Sequence, residues 1–286
     1  MALHRTLGAV GRALLRTTPS AVRRRVWDRV WWRPFPFTAR TADGLRMHGH
    51  TTDLIQRFVY YFGQWEPVIS DWFRSHIRPG DVVIDVGANV GWYTLLAAKL
   101  VGTTGRVIAV EASPTIAGRL RANVALNPDV ADRVTVHNCA AGDREGSVSL
   151  FLADAANTGR STIHGEPGMV REAEVPMKPL AALLADVDLG RVRAIKIDVE
   201  GAEAEVVAGL LPVAGRLPSG AAVLVELAES SRPAVPDALA AAGFACTGVF
   251  PNVYRPDPYL ARRYEPFVET AVIPPAGQHD ALFVKR

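Results

Sequence analysis

The chain has 286 residues, 49% hydrophobic and 21% charged, which is the balance of a folded globular protein and excludes wholesale disorder. No run of about 18 apolar residues occurs, which argues against a spanning helix, and the 20 prolines and 24 glycines are dispersed, so no collagen-like or linker-like tract exists. The net charge of +3 is unevenly placed: the first 40 residues hold nine arginines against one acid, Asp28, for a local +8, and the rest of the chain sums to −5.

Residues 1–33 read as one or two short basic helices. Leu3, Leu7, Val10, Leu14 and Leu15 recur at helical spacing with Arg5, Arg12 and Arg16 between them. Ala21 to Trp32 mixes valines and tryptophans with arginines until Pro34 and Pro36 stop it. Charges interrupt the apolar runs, so the segment does not read as a secretory signal. The plain reading is a helical cap with a solvated basic face. Peripheral contact with an anionic membrane surface is the sharper one. A nucleic-acid arm is a third and a transit peptide a fourth. The expected organisation is a basic helical extension over 1–40 and one domain over 41–286.

Within that domain, residues 41–79 are expected to form a helical cap. Ile55, Phe58, Val59 and Phe62, then Trp65, Val68, Ile69, Trp72 and Phe73, follow the 3.6 period up to the turn at Pro79-Gly80. From residue 80 strand and helix alternate. Strands are predicted at Asp81–Val86, Arg106–Val110, Val134–His137, Val148–Leu152, Arg193–Ile197, Ala222–Leu227, Phe244–Val249 and Ala281–Lys285. Helices are predicted at Trp92–Leu100, Ser113–Asn127, Ala202–Leu211 and Pro233–Ala242. This is an α/β pattern, a mostly parallel sheet covered by helices on both faces. Residues 250–280 show no clear period and read as a lid loop. Cys139 and Cys246 lack metal-ligand spacing and read as buried free thiols, which fits a reducing, cytoplasmic setting.

The strongest local signal is Asp85-Val86-Gly87-Ala88-Asn89-Val90-Gly91, a buried strand running into a glycine turn and a helix. The dinucleotide fingerprint G-x-G-x-x-G is absent. An aspartate two residues before the first glycine would repel a pyrophosphate and suit an ammonium or sulfonium group. The pattern therefore favours S-adenosylmethionine over NAD. Glu111 ends the next strand, where an acid can accept hydrogen bonds from ribose hydroxyls. Near His137-Asn138-Cys139-Ala140, small residues could flank an adenine ring, with Asn138 or Asp143 reading its edge.

Ile195 to Glu203 places Asp198, Glu200 and Glu203 at a strand-to-helix junction. Glu203 reads as a first-turn acid on the helix dipole. Asp198 and Glu200 are the catalytic candidates, because clustered acids repel unless something uses them. Both are placed for general acid–base work, with Glu226, ending the fifth strand, in second rank. Lys196 is expected to face the other side of its strand. His48, His50 and His164 read as surface or structural residues. No His/Cys cluster argues for a metal, although Asp198, Glu200 and Glu226 could in principle hold Mg²⁺.

Through these residues the chain resembles the FkbM family of S-adenosylmethionine-dependent methyltransferases from about Asp53 to the C-terminus. The resemblance rests on Gly63 and Glu66, Pro79-Gly80-Asp81, the Asp85–Gly91 turn, Glu111 with Pro114, Ala140 to Gly146, and above all Lys196–Glu203, KIDVEGAE. Relatives tend to carry Leu-Asp some way before that block, where Leu180 is here followed by Ala181. The resemblance implies a class I methyltransferase, Rossmann-like, with a seven-stranded sheet whose last strand is antiparallel. It implies methyl transfer to a hydroxyl of a sugar, glycan or secondary metabolite. The candidate cofactor-binding set is Glu66, Asp85, Gly87, Asn89, Gly91, Glu111, Asn138 and Ala140. The Pro-Pro-aromatic motif of exocyclic base-nitrogen methylation is missing from the fourth strand, which disfavours a nucleic-acid substrate despite the basic N-terminus. A protein substrate, or cofactor binding without catalysis, remains an alternative. The acceptor's pocket is expected from residues 40–75 and 250–280, with Tyr60, Tyr61, Trp65, Phe250, Tyr254, Tyr259 and Tyr264.

Overall fold

The computed structural model describes residues 2–152, 161–163, 165, 169–227, 229, 231–251 and 254–286. Two helices, α1 (Ala2–Thr17) and α2 (Ser20–Val30), precede a hairpin of β1 (Pro36–Arg40) and β2 (Arg46–His50). Helices α3 (Leu54–Phe62) and α4 (Pro67–His76) follow. The alternating region begins with β3 (Val82–Val86), α5 (Trp92–Leu100), β4 (Arg106–Val110), α6 (Pro114–Ala125), α7 (Pro128–Ala131) and β5 (Val134–His137). An excursion of β6 (Ala140–Gly142), β7 (Gly146–Leu152), β8 (Ser161–Thr162) and β9 (Val170–Pro179) leads to α8 (Leu180–Leu183). The chain closes with β10 (Val192–Ile197), α9 (Glu203–Ala214), β11 (Ala222–Leu227), α10 (Ala234–Ala241), β12 (Phe244–Phe250), α11 (Pro256–Ala261), β13 (Val268–Glu269) and β14 (His279–Lys285).

The main sheet runs β5-β4-β3-β10-β11-β14-β12. Strands β5, β4, β3, β10 and β11 pair parallel, while β14 is antiparallel to both β11 and β12. This is the expected class I methyltransferase sheet, with one addition: two-residue β13 pairs with the outer edge of β12. From β3 the chain moves outward to β5 and then returns to β10, so the β3/β10 boundary is the topological switch point. In open α/β sheets the ligand crevice lies there, beyond the carboxyl ends of the strands.

Side chains alternate across the sheet and sort the core into two layers. Val83, Ala194, Leu224 and Leu282 face the layer containing α3 to α6. Ile84, Ile195, Val223 and Phe283 face the layer containing α8 to α10. At the carboxyl edge the first face turns polar. Asp85, Lys196, Glu226 and Asp280 continue the parity of Val83, Ala194, Leu224 and Leu282, and all four are buried. Lys196 stands in register with Asp85, and Glu226 with Asp280.

The division after residue 40 is not a domain boundary: it falls at the end of β1, which pairs residue by residue with β2 from Pro36↔His50 to Arg40↔Arg46. Leu15, Trp27 and Val30 of the extension are buried in the same core as Phe58 and Tyr61. The Trp27 ring meets Phe58 edge-on at 5.7 Å and Tyr61 at 5.6 Å, and the Tyr61 hydroxyl donates to the Val30 carbonyl at 2.9 Å. Residues 41–79 are therefore not wholly helical, since β2 precedes α3. Nor is 250–280 a plain loop, since it holds α11 and β13. No helix among the described residues is long and apolar enough to cross a membrane.

A second sheet, ordered β6-β9-β7-β8, stands beside the crevice. Its small apolar core is Ala140, Leu150, Val175 and Met177. Both cysteines are free; Cys139 is buried as expected, but Cys246 on β12 is only half-buried.

Candidate active site

A cleft of about 980 Å³ opens over the carboxyl ends of β3, β4, β10 and β11. Its floor is two turns in backbone contact. Gly87, just after β3, has φ +79°, and a Cβ there would lie 1.7 Å from the carbonyl oxygen of Asp198. The Asp198 N–H donates to the Val86 carbonyl at 3.0 Å. Only glycine fits between these turns.

The end of β4 supplies Glu111, which is buried. One carboxylate oxygen accepts the Asn89 N–H at 2.8 Å, the other the Ser113 N–H at 2.9 Å. Burial pushes its carboxyl up to about 7, against the pull of those two backbone donors. Glu111, Asn89, Gly87 and Ala140 all line the cleft. Val110, Ala112, Cys139, Ala141, Leu150 and Ile163 add an apolar wall, the kind of surface that flanks a flat heteroaromatic ring.

Three of the expected cofactor contacts sit elsewhere. Asp85 lies beneath the floor, buried, with the Thr94 hydroxyl donating to it at 2.5 Å. Gly91 caps α5 and packs toward Leu120. The Asn138 amide donates to the carbonyls of Glu111 and Ala112 at 2.9 and 3.0 Å, so it braces the β4 terminus. Asp143 pairs with Arg144 at 3.1 Å and does not reach the cleft.

The opposite end is acidic. Carboxylate oxygens of Asp198, Glu200 and Glu226 lie within 4.8 Å of one another. Lys196 is on the same side as Asp198, not the opposite one: its Nζ is 2.6 Å from Asp198 Oδ2. Residues i and i+2 of a strand share a face, and Lys196, next to last in β10, keeps that relation to Asp198 just beyond the strand. The Lys196 ammonium also lies 4.9 Å from the Tyr93 ring centroid. Burial works against its charge, but Asp198, Glu66, Asp280 and Asp85 together raise its pKa. Burial likewise opposes the charge of Asp198, yet Lys196 outweighs it and holds the carboxyl below its usual range.

Glu226 behaves in the opposite way. Burial, then the charges of Asp198 and Asp280, push it well above the usual carboxylate range. It hydrogen-bonds Asp198 and the Tyr254 hydroxyl. Glu66 enters from the start of α4, buried, and accepts the Tyr93 hydroxyl at 2.6 Å. Its own N–H donates to the Tyr259 hydroxyl at 2.9 Å. Glu200 is half-buried in the turn, where its carbonyl accepts the Thr162 hydroxyl at 2.9 Å. Glu203, at the first turn of α9, is buried below that turn and accepts the Gly201 N–H at 2.7 Å.

Of the aromatic residues expected around an acceptor, only Trp65 and Tyr254 line the cleft. They stack with centroids 5.6 Å apart and planes 7° from parallel. Tyr60, Tyr61, Phe250 and Tyr259 are buried core residues, and Tyr264 packs against Tyr259. Lys196, Tyr93 and Asp280 were absent from the sequence-based site. Lys196 and Asp280 share the strand parity of the buried polar row, but only the pairing of β10 with β3 and of β14 with β11 brings them to it, and Tyr93 reaches it from α5. His48 and His50 line a smaller cavity of about 410 Å³ with Arg119 and Asn123. His164 lies outside the described residues.

Residues 85–232 match the family model described as the methyltransferase FkbM domain, about half of the chain. The chain is 33% identical over 163 residues to 31-O-demethyl-FK506 methyltransferase FkbM of Streptomyces tacrolimicus, covering 47% of this chain and 61% of that protein. It is 29% identical over 147 residues to Methyltransferase 1 of Beauveria bassiana, covering 45% and 57%. The chain thus spans about 60% of the length of these curated relatives. Among solved structures it is similar to a methyltransferase FkbM from Methylobacillus flagellatus, with 14% identity, a TM-score of 0.46, and coverage of 81% of this chain and 52% of that one. The match runs from the carboxyl end of β3 through the glycine turn, the β4 acid and the acidic turn after β10 that build the cleft, and on this evidence the chain belongs to the FkbM methyltransferase family.

Proposed function

We propose that this chain methylates a hydroxyl group of a sugar, glycan or secondary metabolite. The family's methyl donor is S-adenosylmethionine, and the cleft's own residues fit it. In this reading Glu111 takes the ribose hydroxyls and the Ala140 wall an adenine face, supported by their position in the cleft, and the tight Gly87 turn allows close backbone approach. When bound, this cofactor supplies an electrophilic methyl carbon on a sulfonium.

The observation that carries the reading is the split between Asp198 and Glu226. Two carboxyls share one end of the cleft, and their environments push their proton affinities apart. That is the arrangement that separates a base from a proton-holding neighbour. Asp198 stays ionised beside Lys196, and its side chain is 32% exposed, so it can reach an acceptor. Asp198 accepts the hydroxyl proton as the oxygen gains its methyl group. Glu226 keeps its proton and, with Tyr254, fixes the orientation of the Asp198 carboxylate. Trp65 and Tyr254 offer a stacked aromatic wall on which a sugar or apolar ring can lie. Similarity to the Streptomyces relative, a methyltransferase of an O-demethyl compound by name, supports oxygen as the acceptor atom.

The test is calorimetric titration with S-adenosylmethionine, S-adenosylhomocysteine and NAD, followed by an assay of S-adenosylhomocysteine release with hydroxylated macrolides and glycosides. The expected result is saturable binding of the first two and acceptor-dependent release that disappears in Asp198→Asn while cofactor binding persists. Binding of NAD alone, or near-normal release by Asp198→Asn, would overturn the reading.

A further inference from the structure

The outward face of α1 is apolar. Ala2, Leu3, Ala9, Val10, Ala13 and Leu14 are all exposed, and the exposed polar residues of this helix are Arg5, Thr6, Arg16 and Thr17, with no acid. A helix that merely caps a domain turns its apolar stripe inward and its charges outward. Here the inward face is already complete without those residues: Gly8 and Gly11 let α1 settle against Phe35 and Val30, and Leu15 fills the core.

Leu3, Val10 and Leu14 recur at i, i+7 and i+11, which stacks them in one stripe. Leu3 is 66% exposed. Trp32, just past α2, is 52% exposed, and its ring meets His4 at 6.2 Å, so it stands beside the first turn of α1. The Arg33 guanidinium lies over the Trp32 ring at 4.6 Å. Other arginines anchor the pair of helices to the body: Arg12 donates to the Arg40 carbonyl, Arg23 to the Leu260 carbonyl, and Arg24 pairs with Asp257. Arg5 and Arg16 on α1, and Arg25 and Arg29 on α2, remain exposed.

We infer that α1 and the end of α2 form a docking surface for an anionic lipid bilayer. Aliphatic side chains enter the acyl boundary, Trp31 and Trp32 sit at the headgroup level, and the arginines meet lipid phosphates. Charge complementarity selects this partner: the first 40 residues carry +8 and the remainder −5, so the segment that holds the exposed apolar stripe is also the segment drawn to a negative surface. The same positive charge opposes a second copy of this surface. A nucleic acid would use the arginines but leave the leucine and valine stripe in water. This inference stands apart from the methyl-transfer reading.

The experiment is co-sedimentation of the full chain with vesicles of phosphatidylcholine alone and of phosphatidylcholine mixed with phosphatidylglycerol, at low and high salt, beside duplex DNA binding and the sedimentation-velocity mass. The expected result is binding to the anionic vesicles only, weakened by salt. A Leu3→Glu/Val10→Glu/Leu14→Glu variant should bind at least about tenfold more weakly while keeping its melting temperature, since all three side chains are exposed. No sedimentation with anionic vesicles at low salt would overturn the inference. So would vesicle binding unchanged in the triple variant, DNA binding tighter than vesicle binding, or a dimer that the triple variant dissolves.

Discussion

Lys196 is bonded along its own strand and faced across the sheet at once: its Nζ lies 2.6 Å from Asp198 Oδ2, and its register partner on β3 is Asp85. One buried ammonium therefore serves Asp198, Asp85, Glu66 and Asp280. Removing one member of a buried ion cluster leaves its partners without compensation, at a cost of about 3–5 kcal/mol. Lys196→Met is expected to lose stability on that scale in urea denaturation. In whatever fraction folds, the acid limb of the pH–rate profile should move upward, because Asp198 loses the charge that holds its pKa down. An unshifted acid limb would separate Lys196 from the reaction.

Asp198 and Glu226 should answer differently to amide substitution. Asp198 is ionised, so Asp198→Asn removes a charge and a proton acceptor, with an expected loss of about 10²–10⁴ in turnover. Glu226 is held well above the usual carboxylate range by burial and by Asp198 and Asp280. On the proposed reading Glu226 keeps its proton, so Glu226→Gln replaces one neutral group with another of similar shape. Turnover is expected within a few-fold of the parent. Two equally dead variants would show that both carboxyls must ionise.

The alternation of strands and helices made the main sheet legible, because buried parallel strands such as Val82–Val86 carry continuous β-branched runs. The hairpin β1–β2 was not, since RMHGH holds little strand signal; it is held instead by tertiary bonds, with the N–H groups of Arg46 and His48 donating to Asn127 and Asn123 at 2.7 Å. Strand β9 was hidden for a similar reason. Its sequence VREAEVPMKP is charged and holds two prolines, and antiparallel pairing with β7 decides its state. In the site, Asp198, Glu200 and Glu111 stood out as acids at strand ends. Lys196 and Asp280 did not, because their role depends on neighbours in register and not on their own strand.

Glu111 gives the fold a pH dependence of known sign. Its pKa is raised from 4.5 to about 7, mainly by burial. The folded state therefore holds a proton that the unfolded state releases, and stability falls as pH rises from about 4.5 to about 7. The shift corresponds to about 3 kcal/mol. Denaturation midpoints measured across that window should flatten in Glu111→Gln. Cofactor binding should run the other way: an ionised Glu111 accepts ribose hydroxyls better, so affinity should rise through about pH 7 in the parent and not in Glu111→Gln. Calorimetric titration at several pH values reads this, and a flat affinity in the parent would remove Glu111 from the ribose site.

Two glycines with similar φ separate conformational strain from contact. Gly243, before β12, has φ +88° and open space where a Cβ would stand. Gly87 has φ +79° but meets the Asp198 carbonyl oxygen at 1.7 Å from that point. Gly243→Ala is expected to cost about 1 kcal/mol, the penalty for a side chain at positive φ. Gly87→Ala adds a collision with backbone, which no rotamer change relieves, so its cost should exceed that by about 1–3 kcal/mol. Relief comes only if the turns after β3 and β10 move apart, carrying Asp198 away from Lys196. Gly87→Ala should therefore lose methyl transfer and cofactor affinity together, whereas Gly243→Ala should keep both. Equal stability loss in the two variants would mean that the turns are not in the contact described.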